Sequence, residues 1–554
     1  MKTRWYKDAV FYQIYPRSFC DSNGDGIGDI NGIISKLDYL KDLGITAVWL
    51  SPCYSSPNDD NGYDISDYRN IMSDFGTLDD WKLMLAEMHK RDIKLVMDLV
   101  VNHSSNEHFW FQESRKSKDN PYRDYYIWRK GTGKNGKKPP NNWTSRFTGS
   151  AWEYDSLTEE FYLHLFSKKQ PDLNWDNPKV RKEIIDICNY WFDLGVDGFR
   201  CDVVTYVAKA NGLPNGRYIP FMRGDDQFVL AENWYKYINE IAENSWNKYD
   251  SYIVGEGPGV DINNVASVIE EDKNVLDGVI NFQVHHSNIV KFKAEKYKKI
   301  QSRWQNLPEK CWNTLFLENH DQPRVLPMYA KNLQLREVSA KMIAASYLLL
   351  KGTPYIYQGQ EIGMTNCKFK KNEFVDIMSL NVLNVVKKFP PLVPFAVKQL
   401  NRIGRDSART PMQWNSADNA GFTTGKPWMM VNPNYTEINV ENNLNQKHSV
   451  LEFYKKLIAI KKKYNTIIKD GVYSEQFSSV KRVFCYCQTL NGKSLYVLCN
   501  FSDKVTTLPL PDISFTTSKL LITNYDMSNQ FLKNTTLRPY ECCVYELNDK
   551  AKQS

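Results

Sequence analysis

No run in this chain approaches the ~20 consecutive apolar residues of a membrane-spanning helix, and residues 1–8 contain no apolar signal core. A membrane partner is therefore not expected, and a cytoplasmic location is. Charge of one sign is equally scarce. Lysine and arginine number 71 against 64 acidic residues, so the net charge of +7 is spread thinly over 554 residues, and a nucleic-acid role finds no support. The eleven cysteines are odd in number and irregularly spaced; Cys485-x-Cys487 and Cys542-Cys543 lack companion ligands for a metal. That pattern excludes a disulfide framework and predicts buried thiols. No repeat at solenoid periods is visible.

What the chain does have is length and aromatic rings. Aromatics make up 13 % of the sequence, which suits stacking on sugars and equally suits a large core. A chain of 554 residues predicts two or three domains. Strand-like and helix-like segments alternate from the start: strands over 10–19, 47–51 and 94–101, helices over 30–43 and 77–91, the latter with Thr77 as N-cap. The rhythm resumes after 176 with a helix over 178–194, strands over 197–204, 252–254, 278–282, 314–317 and 354–358, and helices over 233–246, 336–350 and 450–464. Such alternation predicts an α/β fold, a closed (β/α)8 TIM barrel. The expected barrel occupies 1–103 and 176–469, with a small inserted domain over 104–175 and an irregular stretch at about 362–447. Short alternating strands after 470, with an Asn491-Gly492 turn, predict a C-terminal antiparallel β-sandwich domain over 470–554.

The segment Asp197-Gly-Phe-Arg-Cys-Asp202-Val203-Val204 places Arg200 and Asp202 two positions apart on a strand, so both point to one face while Phe199, Cys201 and Val203 face the other. A cation beside a carboxylate favours its ionised, nucleophilic form, although a structural ion pair would look the same. Two further carboxylates, Glu256 and Asp321, also follow apolar strand-like runs. In a parallel barrel all such ends share one face. Neighbouring strands lie ~4.8 Å apart. Asp202 and Glu256 then approach the ~5–5.5 Å carboxyl separation of a retaining glycosidase.

These motifs resemble glycoside hydrolase family 13, the α-amylase family, and within it the oligo-1,6-glucosidase and dextran glucosidase branch. The matching segments are Asp98-Leu-Val-Val-Asn-His103, Gln170-Pro-Asp-Leu-Asn-Trp175, Gly198-Phe-Arg-Cys-Asp-Val203, Gly255-Glu-Gly-Pro-Gly259, Asn319-His-Asp-Gln-Pro-Arg324 and Gly404-Arg-Asp-Ser-Ala-Arg-Thr-Pro-Met-Gln-Trp414, in the family's order along nearly the whole chain. The resemblance implies Asp202 as nucleophile held ionised by Arg200, Glu256 as acid/base, and Asp321 as the carboxylate that binds sugar hydroxyls, helped by His103 and His320. It also implies that Tyr63, Asp64 and Arg405 clamp the terminal glucose, which would make the enzyme exo-acting, with Phe147, Phe166 and Gln170 as further pocket residues. Val203 resembles the valine that follows the nucleophile in members cleaving α-1,6 bonds, where maltases favour threonine.

Asp21-Ser-Asn23-Gly-Asp25-Gly-Ile27-Gly-Asp29 spaces oxygen donors as calcium loops do, with Gly32 in place of an EF-hand's terminal glutamate; a run of Asx turns is the alternative. The resemblance implies a structural Ca2+ there, bound by Asp21, Asn23, Asp25, the Ile27 carbonyl and Asp29. Gly257 and His285 depart from the family pattern and put the preferred leaving group in doubt. The expected protein is a monomer acting on small oligosaccharides. Its alternatives are α-1,4-glucosidase, trehalose-6-phosphate hydrolase, sucrose isomerase and a non-catalytic transporter-associated homologue. The isomerase would carry an arginine cluster where 285–291 has none.

Overall fold

The computed structural model describes residues 3–219, 222–288, 291–509, 515–525 and 536–548, so Ile289 and Val290 of the 285–291 segment lie outside the described residues. Eight parallel strands form the barrel: β1 (Phe11–Ile14), β2 (Ala47–Leu50), β3 (Lys94–Val100), β4 (Gly198–Asp202), β5 (Tyr252–Glu256), β6 (Gly278–Ile280), β7 (Thr314–Leu315) and β8 (Thr353–Tyr357). They are hydrogen-bonded in the order β6-β5-β4-β3-β2-β1-β8-β7. Helices cover the outer face and side chains fill the interior, so most strands are near-continuous apolar runs such as Ala-Val-Trp-Leu in β2, buried throughout. β7 is only two residues long and makes no backbone ladder with β6. The Thr314 hydroxyl donates to the Val279 carbonyl and joins that seam.

The first long helix, Leu78–Lys90, begins on a reciprocal cap: Thr77 Oγ1 accepts from Asp80 N at 3.1 Å, and Asp80 Oδ2 accepts from Thr77 N at 2.8 Å. Other boundaries differ from expectation for local reasons. The strand expected over 10–19 stops at Ile14, because Pro16 opens a 3-10 turn at Pro16–Ser18. The helix expected over 30–43 is two helices, Ile30–Ile34 and Leu37–Leu43. Ser35 lies between them, its hydroxyl donating back to the Gly32 carbonyl in competition with the helical ladder. The stretch expected to be irregular contains the helices Ile377–Val386 and Val393–Ile403.

The 104–175 segment contributes a three-stranded antiparallel sheet of Trp128–Arg129, Glu160–Leu163 and Trp152–Asp155. After the barrel, five antiparallel strands pair in the order Val472–Gln476, Val483–Leu490, Lys493–Asn500, Cys542–Asn548, Thr517–Thr523. The 490–493 turn holds Asn491 and Gly492 at φ 50° and 74°, the left-handed pair a two-residue hairpin requires. This sheet is tied to the barrel by buried Lys298, whose ammonium donates to the carbonyls of Ser478 (2.7 Å) and Val480 (3.0 Å). All eleven cysteines are free and buried.

Candidate active site

The strand register brings Cys201 opposite Gly255 and Val100 opposite Asp202, so Asp202 and Glu256 end adjacent strands side by side. Between them lies one guanidinium. Arg200 Nη1 donates to Asp202 Oδ1 at 2.6 Å and to Asp98 Oδ1 at 2.8 Å, and Nη2 donates to Glu256 Oε2 at 2.6 Å. Asp98 lies inside β3 and is fully buried. Its second oxygen accepts from Trp49 Nε1 and the Tyr63 hydroxyl. Burial raises the Asp202 carboxyl well above its ordinary range; Arg200 pulls it down, and the Glu256 and Asp98 carboxylates push it up again. Three carboxylates about one cation leave an excess of negative charge that a proton shared within the cluster relieves. The single cation therefore does not by itself hold Asp202 ionised, as the ion pair alone implied.

Glu256 is oriented from the backbone as well. Val203 N–H donates to Glu256 Oε2 at 3.1 Å. To do so Val203 adopts φ 33°, ψ 39°, a left-handed conformation costly for a β-branched residue. Its side chain belongs to an apolar cluster with Tyr206 and Phe228.

Asp321 follows β7 and meets three cationic or donor groups. His320 Nε2 lies 3.0 Å from Oδ2, while Arg405 Nη1 (3.1 Å) and Arg409 Nη2 (3.0 Å) converge on Oδ1. Burial alone would raise its carboxyl, but His320 and the two arginines outweigh that and hold it well below the usual range. The His320 ring is sandwiched between Tyr63 (centroids 5.3 Å apart, 6° between planes) and Tyr15 (5.9 Å, 11°). Gln13 Nε2 donates to its Nδ1 at 2.8 Å, which leaves Nε2–H to be shared between Asp321 and the Tyr63 oxygen. The imidazole thus aims at Asp321 in one tautomer.

The other end of the pocket closes around Arg405, which lies over the Phe147 ring at 5.3 Å. Its Nη2 donates to Asp60 at 3.2 Å and meets Asp376 at 2.8 Å. The carboxylate of the 58–64 turn that faces Arg405 is Asp60, not Asp64. Asp64 is wholly buried and spends its oxygens on Ser56 Oγ and the backbone N–H groups of Asp59 and Asp60, so it shapes the turn that presents Asp60. Burial lifts the Asp60 carboxyl to about 7 against the pull of Arg405 and Arg409. Gln170 Nε2 donates to Asp60 Oδ2 at 3.2 Å and lies 3.2 Å from His103 Nε2. His103, against Phe166 at 5.0 Å, is pushed down to about 4 by burial and stays neutral at neutral pH. The structure thus brings Tyr63, His103, Phe147, Phe166, Gln170, His320 and Arg405 into one neighbourhood with the three carboxylates.

Sequence reasoning missed Asp60, Asp376 and Arg409. Arg409 is four residues from Arg405, across the short helix Asp406–Arg409, the spacing that puts two side chains on one face. Asp376 precedes the apolar run of Ile377–Val386 and caps it by accepting from Met378 N at 3.0 Å, an N-cap signal legible before the fold.

In the 21–29 loop, Asp21 accepts from the N–H groups of Asn23, Gly24 and Gly26, Asn23 from Asp25 N, and Asp25 from Ile27 N; Asp29 accepts from Ser22 and Gly32. Consecutive Asx turns are therefore present. Among the described residues no three His, Cys, Asp or Glu side chains converge as a metal site. The Asn23 amide and the Ile27 carbonyl are further hard oxygen donors, so the donor chemistry of the loop suits Ca2+.

Residues 13–471 match the family model described as the α-amylase catalytic domain. The chain is 50 % identical to an oligo-1,6-glucosidase of Parageobacillus thermoglucosidasius, over 99 % of this chain and all of that one, and 48 % identical to one of Bacillus cereus, with the same coverage. Among solved structures, a trehalose-6-phosphate hydrolase of Bacillus licheniformis superposes with a TM-score of 0.92 at 41 % identity, covering 98 % of this chain and all of that one. A trehalulose synthase of Pseudomonas mesoacidophila does so at 0.92 and 38 %, covering 99 % and 100 %. The motifs, the barrel and the full-length matches agree: the chain belongs to the α-amylase family, glycoside hydrolase family 13.

Proposed function

We propose that this enzyme is a retaining, exo-acting α-glucosidase that removes glucose from the non-reducing end of α-1,6-linked oligosaccharides, an oligo-1,6-glucosidase. The observation that carries the reading is the pair of carboxylates, Asp202 and Glu256, sharing one guanidinium at adjacent strand ends. In the first step an Asp202 oxygen bonds to the anomeric carbon. The bond to the leaving sugar's oxygen breaks, and that oxygen takes the Glu256 proton. In the second, Glu256 takes a proton from water, whose oxygen displaces Asp202 and releases α-glucose. Asp321, anchored by His320 and the two arginines, is oriented to accept from glucose hydroxyls and to offset the positive charge of the oxocarbenium-like transition state. Arg405 and Asp60 close the far end, which supports release of one glucose per event.

Val203 supports the linkage assignment, because an isopropyl group beside Glu256 offers the departing sugar no hydroxyl partner. Rates on isomaltose, panose, maltose, sucrose, trehalose and trehalose 6-phosphate test it. Isomaltose and panose are expected to be cleaved about tenfold or more faster than maltose, and Val203→Thr to narrow that ratio. A purified enzyme that prefers maltose or trehalose 6-phosphate contradicts the assignment while leaving the chemistry intact.

A structural Ca2+ on the 21–29 loop belongs to the same proposal, supported by its oxygen donors. Chelation is expected to lower the melting temperature by several degrees, roughly, while changing kcat less. An unchanged melting temperature in chelator counts against the ion.

A further inference from the structure

Between the barrel and the C-terminal sheet lies a second cleft, about 800 Å³ in volume, lined by none of the carboxylates of the glucoside pocket. Its walls come from the segments after β6, β7 and β8, from the helix Val393–Ile403, and from turns of the C-terminal sheet. Eight of the lining side chains are basic and two, Glu295 and Asp503, are acidic. In a chain whose total excess is +7, this is a concentration of charge. Lys291, Lys293, Lys331, Lys368, Lys398 and Lys481 have no ion-pair partner among the described residues. Like charges gathered without counter-charge destabilise the compact state, and a bound anion relieves the repulsion.

The floor is apolar and ringed. Phe292, half-buried, stacks on Tyr329 at 4.0 Å and 25° and lies 5.4 Å from Phe501. The helix Ala294–Gln305 starts at the rim, with Lys293 as an N-cap that supplies no capping side chain, so the positive end of its dipole adds to the field of the lysines. A cleft of this size matches small molecules. Cations above an aromatic floor match a ligand with both a phosphate and a ring.

We propose that this cleft binds a small phosphate-bearing metabolite, a sugar phosphate or a nucleotide, independently of the glucoside pocket. The test is calorimetric titration of the full-length protein with pyrophosphate, glucose 6-phosphate and adenosine 5′-monophosphate, with and without the glucose mimic 1-deoxynojirimycin. Saturable one-to-one binding of at least one probe is expected, unaffected by the mimic. The double variant K368Q/K481Q is expected to weaken it about tenfold or more and to leave isomaltose turnover unchanged. Equal affinity for all three probes marks a phosphate site; tighter binding of the nucleotide, lost in Phe292→Ala, marks base stacking, and tighter binding of the sugar phosphate marks a sugar site. The proposal is overturned if no probe binds saturably, if the double variant binds as tightly as the parent, or if the mimic displaces the probe.

Discussion

Asp202→Ala should reduce turnover of an α-glucoside by on the order of 10⁴-fold or more, because the proposed double displacement forms its glucosyl ester on that carboxylate. The fold should survive, since Arg200 keeps Asp98 and Glu256 as partners. Added azide gives the sharper readout. With the nucleophile gone, azide can occupy the vacated β side, and an activated α-glucoside is expected to yield β-glucosyl azide. A variant with wild-type turnover would remove Asp202 from the chemistry. One that unfolds would show that the triad about Arg200 is structural, the bland reading of an arginine and a carboxylate two residues apart.

Glu256→Gln keeps the volume and an oxygen able to accept from Val203 N–H and Arg200 Nη2, but it has no proton to give. Isomaltose turnover is expected to fall about 10²- to 10⁴-fold. An aryl glucoside with a good leaving group should still glucosylate Asp202 readily and then stall, giving a burst of phenol followed by a slow steady rate. Azide, which needs no general base, should restore that rate and give α-glucosyl azide, the opposite anomer to that from Asp202→Ala. The same anomer from both variants would contradict the separate roles.

Much of this site was legible in the sequence, for definable reasons. Arg200 and Asp202 share a face because strand side chains alternate, and Asp202 and Glu256 meet because parallel strands end together. What alternation could not give is which third group enters the same cation. Asp98 reaches Arg200 only through the β3–β4 register, in which the two residues are opposite each other. The 58–64 turn shows a different limit. Its run Asn58-Asp59-Asp60-Asn61-Gly62-Tyr63-Asp64 offers three carboxylates, and only the direction of the folded turn sends Asp60 to Arg405 while Asp64 folds inward. The helices over 377–403 escaped notice because prolines at 390, 391 and 394 break the apolar period between them.

Two acidic side chains bracketing one cation imply displacement on the β side of the sugar followed by displacement on the α side. Proton NMR of p-nitrophenyl α-glucoside hydrolysis, in which the leaving group carries no anomeric centre and all free glucose comes from the transferred sugar, reads that sequence from the anomeric signals when recorded before mutarotation sets in. The H1 signal of α-glucose should rise first, with the β form appearing only later at the rate of mutarotation. Initial release of β-glucose would mean a single displacement by water and would contradict the proposed glucosyl ester on Asp202.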